Sequence, residues 1–599
     1  MFVFALAAAE SAQAAVRINW RLTVNRRPAS LFASTLATVL ASCVSARAIH
    51  DTTAPYDLLV RNGVVYDGSG GTARNVDIAV RGDRVAALLP AGSKVHATKV
   101  IDAKGQAVAP GFINSLSWAV DSLIADGRSM SDTKQGVTLE VFGEGWSVGP
   151  YNAKMKADAL AQQGDIRYAI EWNTLGEYLD YLVGRGVTPN IASFVGATTV
   201  RIHELGEDDV KPDAAQLARM QDLVREAMHE GALGVGASLI YPPATFADTH
   251  ELTALAQAAA ESGGGYIAHM RSEADRFLEA LDENIAIARA TGERAESYHL
   301  KAAGEKNWPK MQQAITKIYA ARMQGLKVSA NMYVYTAGAT GATASLPPWV
   351  QAGGHDAMIA RLKQPAVRER VIGEMKVPTG DWENLFQLAG SAERVLFIGF
   401  KSDKLKSLTG KTLADVMTVR GTTAEDTMID LIIEDDSRVD TAYFLMSEDN
   451  VELGLKQPWV SLGSDAESSA PEGVFLKSST HPRAYGNVAR FLGHYVRDRN
   501  LMSLAEGIHR LTGLPAKNWK LKDRGCLGVG CYADIVVFNP DTIIDHATYE
   551  QPMQYATGVS DVFVNGVQVL RDGEHTGATP GQVVRGPGWS GVEGVPNPR

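Results

Sequence analysis

Two short runs close on a histidine: Gly264-Gly265-Tyr266-Ile267-Ala268-His269 and Ala295-Glu296-Ser297-Tyr298-His299. Between them, Phe277, Leu278, Leu281, Ile285 and Ala288 fall at helical spacing over residues 275–291, and Gly292 follows as a stop. The pattern reads strand, helix, strand, with one imidazole at the carboxyl end of each strand. Catalytic groups of a parallel α/β barrel collect at that end. Neutral imidazole is also a good nitrogen donor for zinc. The competing reading is two unrelated histidines that each happen to end a strand.

Working outward, eight barrel strands are expected at residues 111–117, 137–142, 190–195, 233–239, 266–269, 295–299, 328–333 and 459–463, most of them followed by a helical pattern. Eight strands alternating with helices predict an α/β fold, a (β/α)8 TIM barrel. The gap between the seventh and eighth strands is too long for a loop, so residues 345–445 are read as an inserted subdomain. Both chain ends have short-strand texture. Leu58-Leu59-Val60, Val64-Val65, 76–80 and 85–88 are broken by Asn62-Gly63 and Asp67-Gly68 turns, and the texture returns at 533–538, 559–564 and 567–570 around Asn565-Gly566. This predicts a small β-sandwich built from 55–110 and 517–585, flanking a barrel of 111–344 and 446–516, with a tail at 586–599.

Of the 599 residues, 45% are apolar and 21% charged, the balance of a soluble globular chain. A net charge of −10 with no basic patch argues against a nucleic-acid partner. Residues 1–50 read as a leader. Arg26-Arg27 precede the apolar run 31–40, which leads into Leu40-Ala41-Ser42-Cys43. That run is too short to span a bilayer. The small residues before cysteine resemble a lipobox, so Cys43 is a candidate lipid anchor and the protein is expected to be exported, periplasmic or a membrane-anchored lipoprotein. The alternative is a plain cleaved signal ending near Ala46 or Ala48. Cys526 and Cys531 are close enough to pair in an exported protein, and the spacing leaves a disulfide and free thiols equally open.

A third ligand should come from another strand end. The second strand leads into Gly143-Glu144-Gly145, a carboxylate between two residues that permit close approach. Glu144, His269 and His299 would form a two-histidine, one-carboxylate zinc site with an open position. After the eighth strand comes Gly463-Ser464-Asp465, and Asp465 is a candidate general base, although a turn or cap aspartate is the commoner use of such a residue. Lys301 would share a face with His299 if the strand continued. Arg483 could hold a carboxylate with two parallel hydrogen bonds, and Tyr241 and Tyr333 offer hydroxyls near strand ends. Each of these four read alone is an ordinary packing or surface residue.

The chain resembles the N-acyl-D-amino-acid deacylases (D-aminoacylases) of the amidohydrolase superfamily, from about Tyr56 to Arg585. The resemblance is carried by Ala109-Pro110-Gly111-Phe112-Ile113-Asn114, Gln135-Gly136-Val137-Thr138, Gly231-Ala232-Leu233-Gly234, Ile240-Tyr241-Pro242-Pro243, His269-Met270-Arg271, His299-Leu300-Lys301, Tyr333-Val334-Tyr335-Thr336-Ala337-Gly338, Gly463-Ser464-Asp465 and His481-Pro482-Arg483. It implies that His269 and His299 bind one zinc per chain and that Asp465 is the catalytic base. It also implies that Tyr241, Lys301, Tyr333 and Arg483 line the pocket, with Arg483 and Tyr333 on the substrate's free carboxylate. Three departures stand out. The family's His-x-His after the first strand reads Leu116-Ser117-Trp118, its cysteine ligand reads Glu144, and a serine expected on the substrate carboxylate reads Ala339, with Thr340 adjacent.

The expected activity is therefore zinc-dependent hydrolysis of the amide bond of N-acyl-D-amino acids. Two other readings share the scaffold. One is a dipeptidase or cyclic-amide hydrolase. The other is an exported binding protein on a degenerate barrel, motivated by Leu116 and Trp118.

Overall fold

The computed structural model describes residues 55–378 and 380–591. The expected leader, Cys43 and the end of the tail lie outside the described residues. Eight parallel strands pair in sequence order: Phe112–Asn114, Val137–Phe142, Asn190–Ser193 continuing as Val195–Gly196, Gly234–Ser238, Gly265–His269, Ala295–Ser297, Val328–Met332 and Val460–Leu462. The ring closes where the Ser115 N–H donates to the Leu462 carbonyl at 3.0 Å and Ser117 bridges to Ala466. The first strand therefore lies between the second and the eighth.

The strands are buried along their whole length. Both faces are covered, so polar strand positions such as Glu140, Glu296 and Asn331 are buried along with the apolar ones. Ile113, Leu139, Val141, Phe194, Leu233 and Ile267 fill the interior. The helices Ala214–His229, Thr249–Ala260, Phe277–Thr291 and Lys310–Met323 follow successive strands and bury their apolar faces against the outside of the ring. The helix read between the two histidine runs ends at Gly292, whose φ of 70° caps it in the left-handed conformation.

Both chain ends meet in two sheets. One has strand order Arg84–Pro90, Val76–Arg81, Tyr56–Arg61, Ala97–Asp102. The other joins Val64–Val65 and Ala107–Pro110 to Ile535–Phe538, Val559–Val564, Val567–Arg571 and Glu574–His575. Ile535–Phe538 pairs antiparallel with Ala107–Pro110, with Val536 opposite Ala109. Leu58, Val60, Ile78, Val80, Val108, Ile535, Val537 and Phe563 pack between the sheets. The strand Ala97–Asp102 was not expected from the sequence. It alternates half-buried and exposed positions on a sheet edge, which leaves little apolar signal. Cys526 and Cys531 form a disulfide.

Between the seventh and eighth strands the chain leaves the ring to form an antiparallel sheet of Ala337–Gly341, Asp440–Phe444 and Val395–Gly399, covered by helices including Gly354–Leu362, Pro365–Lys376 and Ala424–Asp435. Its hydrogen-bonded part thus begins at Ala337, before residue 345. Residues 581–586 run back under the ring, with the Gly581 N–H on Val187 O, Val584 on Ile191 and Gly586 on Gly231. No helix among the described residues is long and apolar enough to cross a membrane.

One ion pair inside the helical layer has a stability consequence. Arg201 and Glu251 are 1% and 3% exposed, and their Nη1 and Oε2 atoms lie 2.5 Å apart. Arg201→Met leaves the Glu251 carboxylate without its counter-charge, so a loss of about 3–5 kcal/mol is expected. Urea unfolding of the purified variant reads this; an unchanged midpoint would contradict it.

Candidate metal centre and active site

Glu144 sits just beyond the second strand because the backbone turns sharply on both sides of it. Gly143 has φ 103°, and a Cβ there would lie 2.4 Å from the Phe194 carbonyl; Gly145 has φ 74° and is as tightly placed against Ser238. The Ser238 hydroxyl donates to the Glu144 carbonyl at 2.8 Å. His269 is the last residue of the fifth strand. The sixth strand stops at Ser297. His299 therefore lies in a turn at φ 33° rather than on the strand end, its N–H held by Asn331 Oδ1 at 2.8 Å.

These three side chains are buried and converge. Glu144 Oε1 lies 3.2 Å from His269 Nδ1 and 2.7 Å from His299 Nε2. The ring centroids of the two histidines are 4.5 Å apart at 80°. Zinc bonds of about 2.0–2.1 Å in tetrahedral geometry put ligand atoms roughly 3.3 Å apart. The first separation matches this, and a small carboxylate rotation supplies the second. The donor set therefore fits zinc.

Glu273 completes the surroundings. Its Oε1 lies 3.0 Å from His299 Nδ1 and accepts from Lys301 Nζ at 2.7 Å, and its Oε2 is 3.5 Å from His269 Nε2, a buried atom with no hydrogen-bond partner among the described residues. A carboxylate on the far nitrogen of a ligating imidazole fixes its tautomer and direction. Lys301 reaches this carboxylate although the strand does not continue to it. Burial alone would raise Glu273, but the Lys301 ammonium and the two imidazoles outweigh it and bring the carboxyl down to about 2. Burial and Lys301 push His299 towards neutrality, but Glu273 and Glu144 prevail and raise it to about 9. Glu144 is held far below the usual carboxylate range, its burial outweighed by His299 and His269. The pocket thus draws in positive charge. Glu383, from the insertion, accepts from the Ser272 hydroxyl at 2.6 Å and from the Glu273 and Ala274 N–H groups at 2.5 and 2.8 Å, tying the insertion to this rim.

Asp465 faces the same pocket from the eighth strand's loop, 11% exposed at the side chain. It adopts φ 51°, with its N–H on Leu116 O at 2.9 Å, and caps no helix. The turn is held by Asn114, which accepts from the Ser464 N–H at 2.8 Å and donates to the Ser464 hydroxyl at 2.8 Å. Burial raises the Asp465 carboxyl against the pull of Arg483. The Arg483 guanidinium pairs with Asp465 Oδ2 at 2.8 Å and stacks 4.5 Å from the Tyr333 ring. The buried Tyr333 hydroxyl has no hydrogen-bond partner among the described residues. Tyr241 lies with its ring 5.3 Å from His269, and Arg438 of the insertion is 5.9 Å from the Tyr241 ring. Thr340 accepts from Arg438 Nη2 at 2.5 Å. All eight expected site residues thus meet in one region.

Two neighbours escaped the sequence reading. Glu273 stands four residues after His269 in His269-Met270-Arg271-Ser272-Glu273, a spacing that could have flagged it. Trp118, read only as a lost ligand, donates its indole N–H to Glu144 Oε2 at 3.0 Å and Asp465 Oδ1 at 3.1 Å.

Residues 99–570 match the amidohydrolase family. The chain belongs to that family. It is 32% identical over 534 residues to a D-aminoacylase of Alcaligenes xylosoxydans xylosoxydans, covering 88% of this chain and 98% of that protein. It is 31% identical to the N-acyl-D-aspartate deacylase of the same organism, over 90% and 96%. Among solved structures, a D-aminoacylase superposes with TM-score 0.73 at 29% identity, covering 89% of this chain and all of that one. A Bordetella bronchiseptica N-acyl-D-glutamate deacylase, complexed with zinc and a phosphonate mimic of the tetrahedral intermediate, does so at TM-score 0.73 and 28% identity over the same shares. A further D-aminoacylase structure of TM-score 0.73 and 28% identity, covering the same shares, is described by one-metal activation and second-metal attenuation of a binuclear centre. This amidohydrolase is thus a hydrolase acting on amide bonds.

Two outcomes follow from the ligand geometry. Gly143→Ala forces the chain away from Phe194 and displaces Glu144, so the folded variant should hold well under half the wild-type zinc by elemental analysis; full zinc content would contradict the role of the turn. Zinc must also displace the His299 proton, so affinity of the metal-stripped protein should fall as pH drops from about 9 towards 6. Zinc titrations across that interval would show it, and pH-independent binding would contradict it.

Proposed function

We propose that this amidohydrolase is a zinc-dependent N-acyl-D-amino-acid deacylase, releasing a carboxylate and a free D-amino acid with a mononuclear centre and Asp465 as general base. The observation that carries the reading is the convergence of Glu144 Oε1, His269 Nδ1 and His299 Nε2 beside Asp465 at the carboxyl ends of the strands. The deacylase activities of the relatives support the substrate class.

Glu144, His269 and His299 would hold the zinc. When bound, it supplies Lewis acidity that acidifies water and polarises an acyl carbonyl. Asp465 takes the proton of the attacking water and passes it to the departing nitrogen. Its raised pKa suits a group that must hold a proton between those two steps. Arg483 carries five N–H donors, so it can keep Asp465 oriented and still grip the substrate's carboxylate. The Tyr333 hydroxyl supplies a second donor to that carboxylate, and the two together orient the scissile bond. Tyr241 and Lys301 close the pocket on the His269 and Glu273 sides. We further read the enzyme as exported, a reading that the Cys526–Cys531 disulfide supports.

The test pairs D and L substrates with one variant. N-acetylated D-amino acids should be hydrolysed and their L enantiomers left intact, whereas turnover only of dipeptides or hydantoins would overturn the substrate class. Asp465→Asn should retain its zinc and lose about 10²–10⁴-fold in kcat, the usual worth of a positioned acid–base group. A wild-type rate in that variant would place the base elsewhere.

A further inference from the structure

The first strand is the only one that neighbours both the second, which leads to Glu144, and the eighth, which leads to Asp465. A side chain just beyond it can therefore reach both carboxylates, and Trp118 does. Its single indole N–H lies between Glu144 Oε2 and Asp465 Oδ1, at 3.0 and 3.1 Å. The Trp118 backbone N–H is itself fixed on the Ala466 carbonyl at 3.0 Å, so the indole is anchored from the eighth-strand loop.

The two Glu144 oxygens thus have separate tasks. Oε1 faces the imidazoles and Oε2 faces the indole. Two carboxylate oxygens brought together in a buried pocket repel unless something positive lies between them. A cation is one such bridge; an indole N–H, a donor that never accepts, is another. The indole stands beside both carboxylates, and Leu116, 1% exposed, offers no ligand atom.

We propose that Trp118 is a positioning residue: its N–H clamps the ligand carboxylate to the base, and its ring restricts the centre to one metal ion. This rests on the deacylase reading above and extends it. With the clamp in place Asp465 stays aimed into the pocket, and Glu144 would have only Oε1 free for a metal ion. Without it, Asp465 turns fully to Arg483 and Glu144 is free to rotate.

The test uses the full chain, stripped of metal and titrated with zinc by calorimetry, then assayed with an N-acetyl-D-amino acid that the wild type hydrolyses. Wild type should bind one zinc and keep its activity in excess zinc. Trp118→Phe keeps the ring and loses the N–H; it should bind one zinc, lower kcat by about 10–100-fold as expected for a misaimed group, and leave KM within about threefold. The Leu116→His/Trp118→His double variant should bind a second zinc. A second zinc on the wild type, or inhibition of it by excess zinc, overturns the single-metal restriction. Wild-type kcat in Trp118→Phe overturns the clamp alone, while zero zinc uptake by the wild type overturns both this proposal and the deacylase reading.

Discussion

Two buried carboxylates, Glu144 and Glu273, face each other across the His269 and His299 rings, and the rest of the site is arranged around that charge. Isolated buried carboxylates are strongly disfavoured unless positive charge and hydrogen bonds compensate them. Lys301 neutralises part of the pair through Glu273. The remaining demand falls on the imidazoles, which is why His299 is driven towards its cationic form. Glu144, His269 and His299 would hold a divalent ion, whose charge would meet the same demand.

The barrel makes this arrangement rigid. Each candidate ligand comes from a different strand end or from the turn just past it, and each such segment is pinned by a second contact: the Glu144 carbonyl by the Ser238 hydroxyl, the His269 carbonyl by the Leu239 N–H, the His299 N–H by Asn331. The left-handed conformations at His299 and Asp465 are the strained exceptions. Both occur where a candidate site residue is aimed inward, and both N–H groups are hydrogen-bonded, that of His299 to Asn331 and that of Asp465 to Leu116. Glu383 ties the insertion to the same rim, so the excursion after the seventh strand supports the pocket as well as bordering it.

Much of this was legible in the sequence, for identifiable reasons. The eight strands are short segments, most of them followed by a helical pattern, and the helix at Phe277–Thr291 carries a periodic face and a glycine stop. Glu144 stood out as a carboxylate between two glycines with no evident helix to cap. The misses have physical causes too. Ala97–Asp102 is an edge strand with half its positions in water. His299 lies past the end of its strand, a displacement that backbone pattern does not encode. The small sheet of the insertion joins Ala337–Gly341 to segments far along the chain, and no local signal announces such pairing. Trp118 was visible only as a residue unable to bind metal; that its N–H serves two carboxylates depends on the first strand closing the ring between the second and the eighth.

The most direct test of the central claim is X-ray absorption at the zinc edge on the purified, zinc-loaded protein. The account predicts a nitrogen and oxygen shell at about 2.0–2.1 Å, with the outer-shell scattering of two imidazoles and no sulfur. A shell with one imidazole or none, or one containing sulfur, would contradict it.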